Sequence, residues 1–230
     1  MADFTVKMLM VGMLGTNCSI LLNEETKEAL LIDPGDEADR IVREMAGMGG
    51  RPVAILLTHA HYDHTMAVGD LLRRFPGLPV VAGAKERVMF EDDSLNCPPY
   101  GGVPSVVRPN VWVAEGEELA FAGAGLKVLE TPGHTGGSIC LFLKAREGEK
   151  RSLLRLRTGR EELGDAGILF AGDTLFYRSY GRTDFPTGSD EAMWASLQKL
   201  LTTLPENTLV IPGHGQITTI GYERRVKGIR

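Results

Sequence analysis

"LLTHAHYDHTMAVGDLL", residues 56–72, holds three of the chain's five histidines, His59, His61 and His64, with Asp63, inside six positions. The apolar run Val53-Ala54-Ile55-Leu56-Leu57 predicts a buried strand, and Thr65 onward predicts a helix with Met66, Leu71 and Leu72 inward. The cluster therefore falls on a strand-to-helix turn, where side chains open into a crevice. Imidazoles crowded there repel one another once protonated and gain little by packing. A metal ion is the ordinary way to make such crowding favourable. His59 and His61, two apart in an extended segment, project to one side. Asp63 and His64 follow as the chain turns and can face a second point nearby.

The same setting recurs down the chain. His134 lies in "ETPGHTGGS" between two apolar runs, and His214 lies in "VIPGHGQ" directly after another. Asp173 ends the strand of "ILFAGDTLF", and Asp33 closes "ALLIDPG". A lone histidine in a turn is usually structural or merely solvated; every histidine in one setting, beside similarly placed aspartates, argues for ligands. Seven donors, five His and two Asp, are too many for one tetrahedral ion and natural for two ions sharing a carboxylate. Two dications about 3.5 Å apart repel by on the order of 20 kcal/mol at an effective dielectric of about 20. Two carboxylates and a bridging hydroxide offset most of that; histidines alone could not.

The rest of the chain reads as alternating short strands and helices. Strands are expected over 4–12, 17–23, 28–33, 53–58, 79–82, 111–113, 125–130, 138–143, 167–172 and 208–212, with helices over 36–47, 65–75, 84–91, 190–203 and 219–226. Ser189 can cap the helix at 190, and Asp190 and Glu191 favour its positive end. Many short apolar runs predict one layered α/β domain over residues 1–230. Residues 92–110, rich in Pro and Gly, read as a long loop. Residues 144–166 read as a charged insertion, with a hairpin hint at 152–157; it is either a solvated excursion or a basic lip over an anionic substrate.

A net charge of −5 gives no reason to expect nucleic acid as the main partner. No apolar run is long enough to span a membrane, and no signal peptide is expected. Three cysteines without CxxC spacing suit a reducing cytoplasm; Cys18 and Cys140 read as core residues, and Cys97 lies in the Pro/Gly loop. The sequence sets no oligomeric state.

"LIDPG", "THAHYDH", "TPGHTGGS", "AGDTLF" and "PGHG" together resemble the five ordered motifs of the metallo-β-lactamase superfamily, over nearly the whole chain. The resemblance implies an αβ/βα four-layer sandwich with metals between the edges of its two sheets. It also implies that His59, His61 and His134 hold one metal, that Asp63, His64 and His214 hold the other, and that Asp173 bridges. Asp33 would orient a ligand histidine or its loop. Within the superfamily, "GTNCSILL", "GDTLFYRSYGRTDFPTGS" and "GHGQITTIGYERR" are similar to glyoxalase II-like hydrolases of the short bacterial type. Full-length glyoxalase II adds a helical C-terminal domain that contributes glutathione contacts, and this chain stops about where that domain would begin, which leaves the thiol open.

The implied activity is hydrolysis of a small-molecule thioester through a metal-bound hydroxide, with Asp63 and Asp173 as catalytic carboxylates. Zinc is the expected metal, with iron or manganese as alternatives. Arg182 matches, by its offset from Asp173, a lysine that contacts glutathione in glyoxalase II; the competing expectation is a pair with Asp184. Tyr177, Arg178 and Tyr180 are either pocket wall or packed loop. Three other functions stay open: a mono-iron persulfide dioxygenase using His59, His134 and Asp173, a lactone or other ester hydrolase, and a metal-stabilised binding module.

Overall fold

The computed structural model describes residues 4–96, 107–145 and 167–229. The aliphatic runs pair into two sheets. The first is ordered β1 (Phe4–Val11), β2 (Thr16–Asn23), β3 (Glu28–Ile32), β4 (Arg51–Leu56), β5 (Val80–Gly83) and β6 (Val111–Val113). Its first three strands are antiparallel and the pairs from β3 to β6 are parallel. The second sheet uses β7 (Glu118–Leu119), β8 (Leu126–Glu130), β9 (Ile139–Lys144) and β10 (Gly167–Gly172). A small ribbon, β11 (Leu175–Phe176) with β12 (Ser179–Tyr180), then leaves the sheet before β13 (Leu209–Pro212) and β14 (Thr218–Thr219) rejoin it, in the order β14-β13-β10-β9-β8-β7.

Burial on both faces explains the layering: central strands such as β2 and β10 are buried along their length, and successive residues face different cores. One face of each sheet meets the other across a core that includes Val6, Leu21, Leu30, Leu56, Leu126, Leu141, Ile168 and Ile211. The outer face of the first sheet, with Ile20, Leu31 and Ile55, is covered by α1 (Ala38–Gly47), by α3 (Val68–Arg74), which follows the single turn α2 (Tyr62–Thr65), and by α4 (Arg87–Glu91), which the short α5 (Asp93–Asn96) succeeds. The outer face of the second is covered by α6 (Asp190–Thr203), through Met193, Leu197, Leu200 and Leu201, and by Ile220 of α7 (Ile220–Val226). The result is the expected αβ/βα four-layer sandwich. Ser189 caps α6, its Oγ accepting from the Ala192 N–H at 3.2 Å, and Thr219 caps α7 in the same way. Among the described residues no helix is long and apolar enough to cross a membrane.

Several expectations need correction. The single helix expected over 65–75 is two, because the Ala67 N–H donates to the Pro34 carbonyl at 3.1 Å and interrupts the helical ladder. Met66, expected inward, is 39% exposed while Leu71 is fully buried: the backbone stays helical between them, and five residues turn the side chains about 140° apart. Residues 84–91 form a 3₁₀ turn, Ala84–Glu86, before α4. Strands β7, β11, β12 and β14, each two residues long, carry too little periodicity to be read from sequence. Cys18 and Cys140 are buried. Cys97, most of the 92–110 loop and all but the first two residues of the 144–166 insertion lie outside the described residues.

The two sheets are stitched at one edge. The Ile139 N–H at the start of β9 donates to the Thr58 carbonyl just beyond β4, at 2.9 Å. The Asn17 N–H of β2 donates to the Gly213 carbonyl just beyond β13, at 2.7 Å. Strand ends from both halves therefore converge.

Candidate metal centre

At this edge each histidine-bearing turn follows a strand: β4 leads to His59 and His61, β8 to His134, β10 to Asp173, β13 to His214 and β3 to Asp33. Turn α2 carries Asp63 and His64. The rings of His59, His61 and His134 stand nearly perpendicular in pairs, with centroids 4.6–4.9 Å apart. His61 Nδ1 lies 2.9 Å from His134 Nε2. Beside this trio, His214 Nε2 lies 3.2 Å and His64 Nε2 3.6 Å from Asp63 Oδ2. Asp173 stands between the two groups: its Oδ1 is 3.4 Å from His64 Nε2, and its Oδ2 is 3.4 Å from His134 Nε2 and 3.6 Å from His214 Nε2. Donor atoms within each of the sets His59/His61/His134, Asp63/His64/His214 and His59/His64/Asp173 lie within 4.8 Å of one another.

The donors fit divalent metal chemistry. His59 Nε2, His64 Nε2 and Asp173 Oδ1 are buried polar atoms without a hydrogen-bond partner. Such atoms cost roughly 1–3 kcal/mol each when left unsatisfied. Imidazole nitrogen with carboxylate oxygen is the donor set of zinc, iron and related ions.

The outer ring nitrogens decide which lone pairs face inward. Asp33 accepts from the Thr58 N–H at 2.8 Å and from the Thr58 hydroxyl at 2.7 Å. That hydroxyl, its proton committed, offers only lone pairs to His59 Nδ1 at 3.1 Å, so Nδ1 carries the proton and Nε2 is free to ligate. Asp33 Oδ2 also lies 3.1 Å from His64 Nδ1, an ionic contact without hydrogen-bond geometry, and its charge favours a proton on that nitrogen. His134 Nδ1 donates to the Arg182 carbonyl at 2.7 Å, and His214 Nδ1 to the Leu14 carbonyl at 3.1 Å. Asp63 is steadied by the Thr16 hydroxyl, 2.9 Å from Oδ2. Partners of this kind are what make a ligand histidine both oriented and basic.

Electrostatics divides the histidines. Burial, with neighbouring imidazoles adding to it, holds His59 well below the ordinary value and pushes His61 down to about 3. Burial also opposes a charge on His64, but Asp63, Asp173 and Asp33 outweigh it and hold His64 well above its ordinary value. His214 is raised against its burial by the hydrogen bond to Asp63 and the charge of Asp173. Asp63 and Asp173 are held below the usual carboxylate range; burial opposes this, and His64 heads the contributions that prevail.

Other singled-out residues fall outside the cluster. The Arg182 guanidinium makes two hydrogen bonds of 2.6 Å to Asp184 and lies over the Phe185 ring at 3.9 Å, so the pairing expected as its alternative is present; its carbonyl is what reaches His134. Tyr177 stacks on Tyr222, Tyr180 packs against Trp194, and the Arg178 N–H donates to the buried Glu223 carboxylate. Three residues that the sequence did not single out complete the surroundings: Thr58, Thr16 and Glu86. Nothing local marks them. A hydroxyl or carboxylate becomes informative only once the chain brings it against a ligand loop.

A model of the family described as the metallo-beta-lactamase superfamily matches residues 11–147 and 158–214. The hydroxyacylglutathione hydrolase GloC of Haemophilus influenzae is 34% identical over 212 residues, covering 91% of this chain and 90% of that one. Among solved structures, the BLEG-1 B3 metallo-beta-lactamase is similar with a TM-score of 0.78 at 33% identity, covering 96% of each chain. TTHA1623, solved in a di-iron-bound form, is similar with a TM-score of 0.75 at 34% identity, covering 95% of this chain and 96% of that one.

Proposed function

The chain belongs to the metallo-β-lactamase superfamily, and from that membership we propose that it is a binuclear metal-dependent hydrolase of small-molecule thioesters, of the hydroxyacylglutathione class. One observation carries the reading: two sets of three donors stand on either side of a half-buried carboxylate, Asp173, that borders both. His59, His61 and His134 would hold one ion, Asp63, His64 and His214 the other, with Asp173 common to the two. Zinc suits these donors; iron also does, and the relative solved with two irons supports leaving supply to decide.

When bound, such ions lower the pKa of a water from 15.7 to about 7 and polarise a carbonyl as Lewis acids. The chain's own groups do the rest. Asp173 and Asp63, ionised and acceptor-only, orient the attacking water and accept its hydrogen. Thr16 holds Asp63 for that task. Phe185, half-buried, packs edge-on against His61 at 5.6 Å between ring centroids. A thiolate leaves without a general acid, and no further histidine stands ready to act as one.

The test is metal analysis with three assays on one preparation. About two ions per chain are expected, with thioester hydrolysis that stops on chelation and returns with metal. One iron per chain with oxygen uptake on a persulfide would replace this reading by the dioxygenase. A β-lactam opened faster than any thioester would replace it by the activity that the name of BLEG-1 carries.

The divided histidines also predict how metal enters. In metal-free protein near neutrality His59 and His61 are unprotonated, so filling their site displaces no proton from them. His64 and His214, both raised, must give up protons to ligate. Lowering the pH from about 8 to about 6 should therefore weaken the second equivalent of zinc more than the first. Calorimetry in two buffers of different ionisation enthalpy counts the protons. Equal release for both equivalents would contradict the assignment.

A further inference from the structure

Glu86 is fully buried in the 3₁₀ turn after β5, and no described Lys or Arg is paired with it. Its two oxygens face different loops. One accepts from the N–H of Ala60, the residue between His59 and His61, at 2.9 Å. The other accepts from the Thr135 hydroxyl and the Gly137 N–H, both at 2.9 Å, in the loop that bears His134. These loops belong to different sheets, and the 2.9 Å separation of His61 Nδ1 from His134 Nε2 depends on their spacing.

We propose that Glu86 is a positioning residue for the metal centre, its single carboxylate clamping the His59–His61 loop to the His134 loop. The inference rests on the metal reading above. Both backbone N–H groups can only donate, so an acceptor is required at each end. Glutamine would turn its NH₂ toward one loop; an apolar residue would leave buried donors without partners. Burial pushes the Glu86 carboxyl up to about 7, against the pull of those three hydrogen bonds. A residue present only to fill space would pack there more favourably as a hydrocarbon.

The experiment measures zinc affinity of metal-stripped wild type, Glu86→Gln and Thr135→Val by competition with a chromophoric chelator, with Tm recorded with and without zinc. Glu86→Gln is expected to weaken zinc binding about 10–100-fold, as changes to ligand-supporting residues do. Thr135→Val keeps the carboxylate and removes one of its donors, and should cost about fivefold, near the worth of one hydrogen bond. In both variants zinc should raise Tm by less than in wild type. Zinc affinities unchanged in the variants, with Tm lowered equally in the presence and absence of zinc, would overturn the clamp and leave Glu86 a fold residue. If Glu86→Gln does not fold, Thr135→Val decides by the same criteria. A wild type that takes up no zinc would overturn the metal reading and the clamp with it; tight wild-type binding with unaffected variants overturns the clamp alone.

Discussion

Asp173→Asn is expected to abolish turnover and to leave a folded protein holding closer to one metal than two. The side chain keeps its shape but loses the charge that offsets repulsion between two neighbouring dications, on the order of 20 kcal/mol at about 3.5 Å and a dielectric of about 20. It also replaces one acceptor oxygen with an NH₂ facing the Nε2 atoms of His64, or of His134 and His214. The site of Asp63, His64 and His214 has only one other carboxylate and should lose affinity most. Asp33→Asn is the comparison. It weakens the support of His59 and His64 from outside, so it should cost about 10–100-fold in affinity yet still bind both ions at saturation. Elemental analysis after dialysis, with turnover on the same samples, reads both. An Asp173→Asn protein with two metals and most of its rate, beside an Asp33→Asn protein that has lost them, would reverse the roles of the two aspartates.

Gly213→Ala should be nearly as severe, although Gly213 donates no ligand atom. A Cβ built there would lie 2.1 Å from Asp173 Oδ1 and 2.8 Å from His64 Cε1, closer than real contacts allow. Asp173 must swing away, or β13 must retreat from β10, whose Gly172 carbonyl accepts from the Gly213 N–H at 2.7 Å. Overpacking of this kind costs roughly 1–3 kcal/mol of stability. The larger effect is on the centre: a carboxylate displaced by even half its present spacing no longer serves both donor sets. We expect metal affinity to fall at least as far as in Asp33→Asn. Gly215→Ala is the control, since Gly215 has φ near +76° and open space around its Cβ position. It should lose about 1–2 kcal/mol through left-handed backbone strain and keep its metals. If both variants retain metal equally, crowding at Gly213 does not reach Asp173.

The layered architecture and the candidate donor residues were legible because both are written in local terms. Short continuous apolar runs such as those around Leu30–Ile32 and Ile168–Phe170 read as strands buried on both faces. Five histidines beside Gly, Pro and Thr at strand ends advertise an unusual chemistry before any contact is known. Local rules failed where a local pattern met a distant partner. Residues 65–75 read as one helix, yet the Pro34 carbonyl takes the Ala67 N–H and divides it in two. Arg182 reads as a side chain in search of an anion, while its carbonyl is the group that supports His134. Glu86 sits in an unremarkable "GAKE" and reaches Ala60 and Thr135, 26 and 49 positions away. By itself the sequence determined which residue types could ligate and which segments would carry them. The tertiary structure alone decided which lone pairs face inward and how far apart they stand, because tautomer and spacing are set by hydrogen bonds between loops that meet only when the two sheets close.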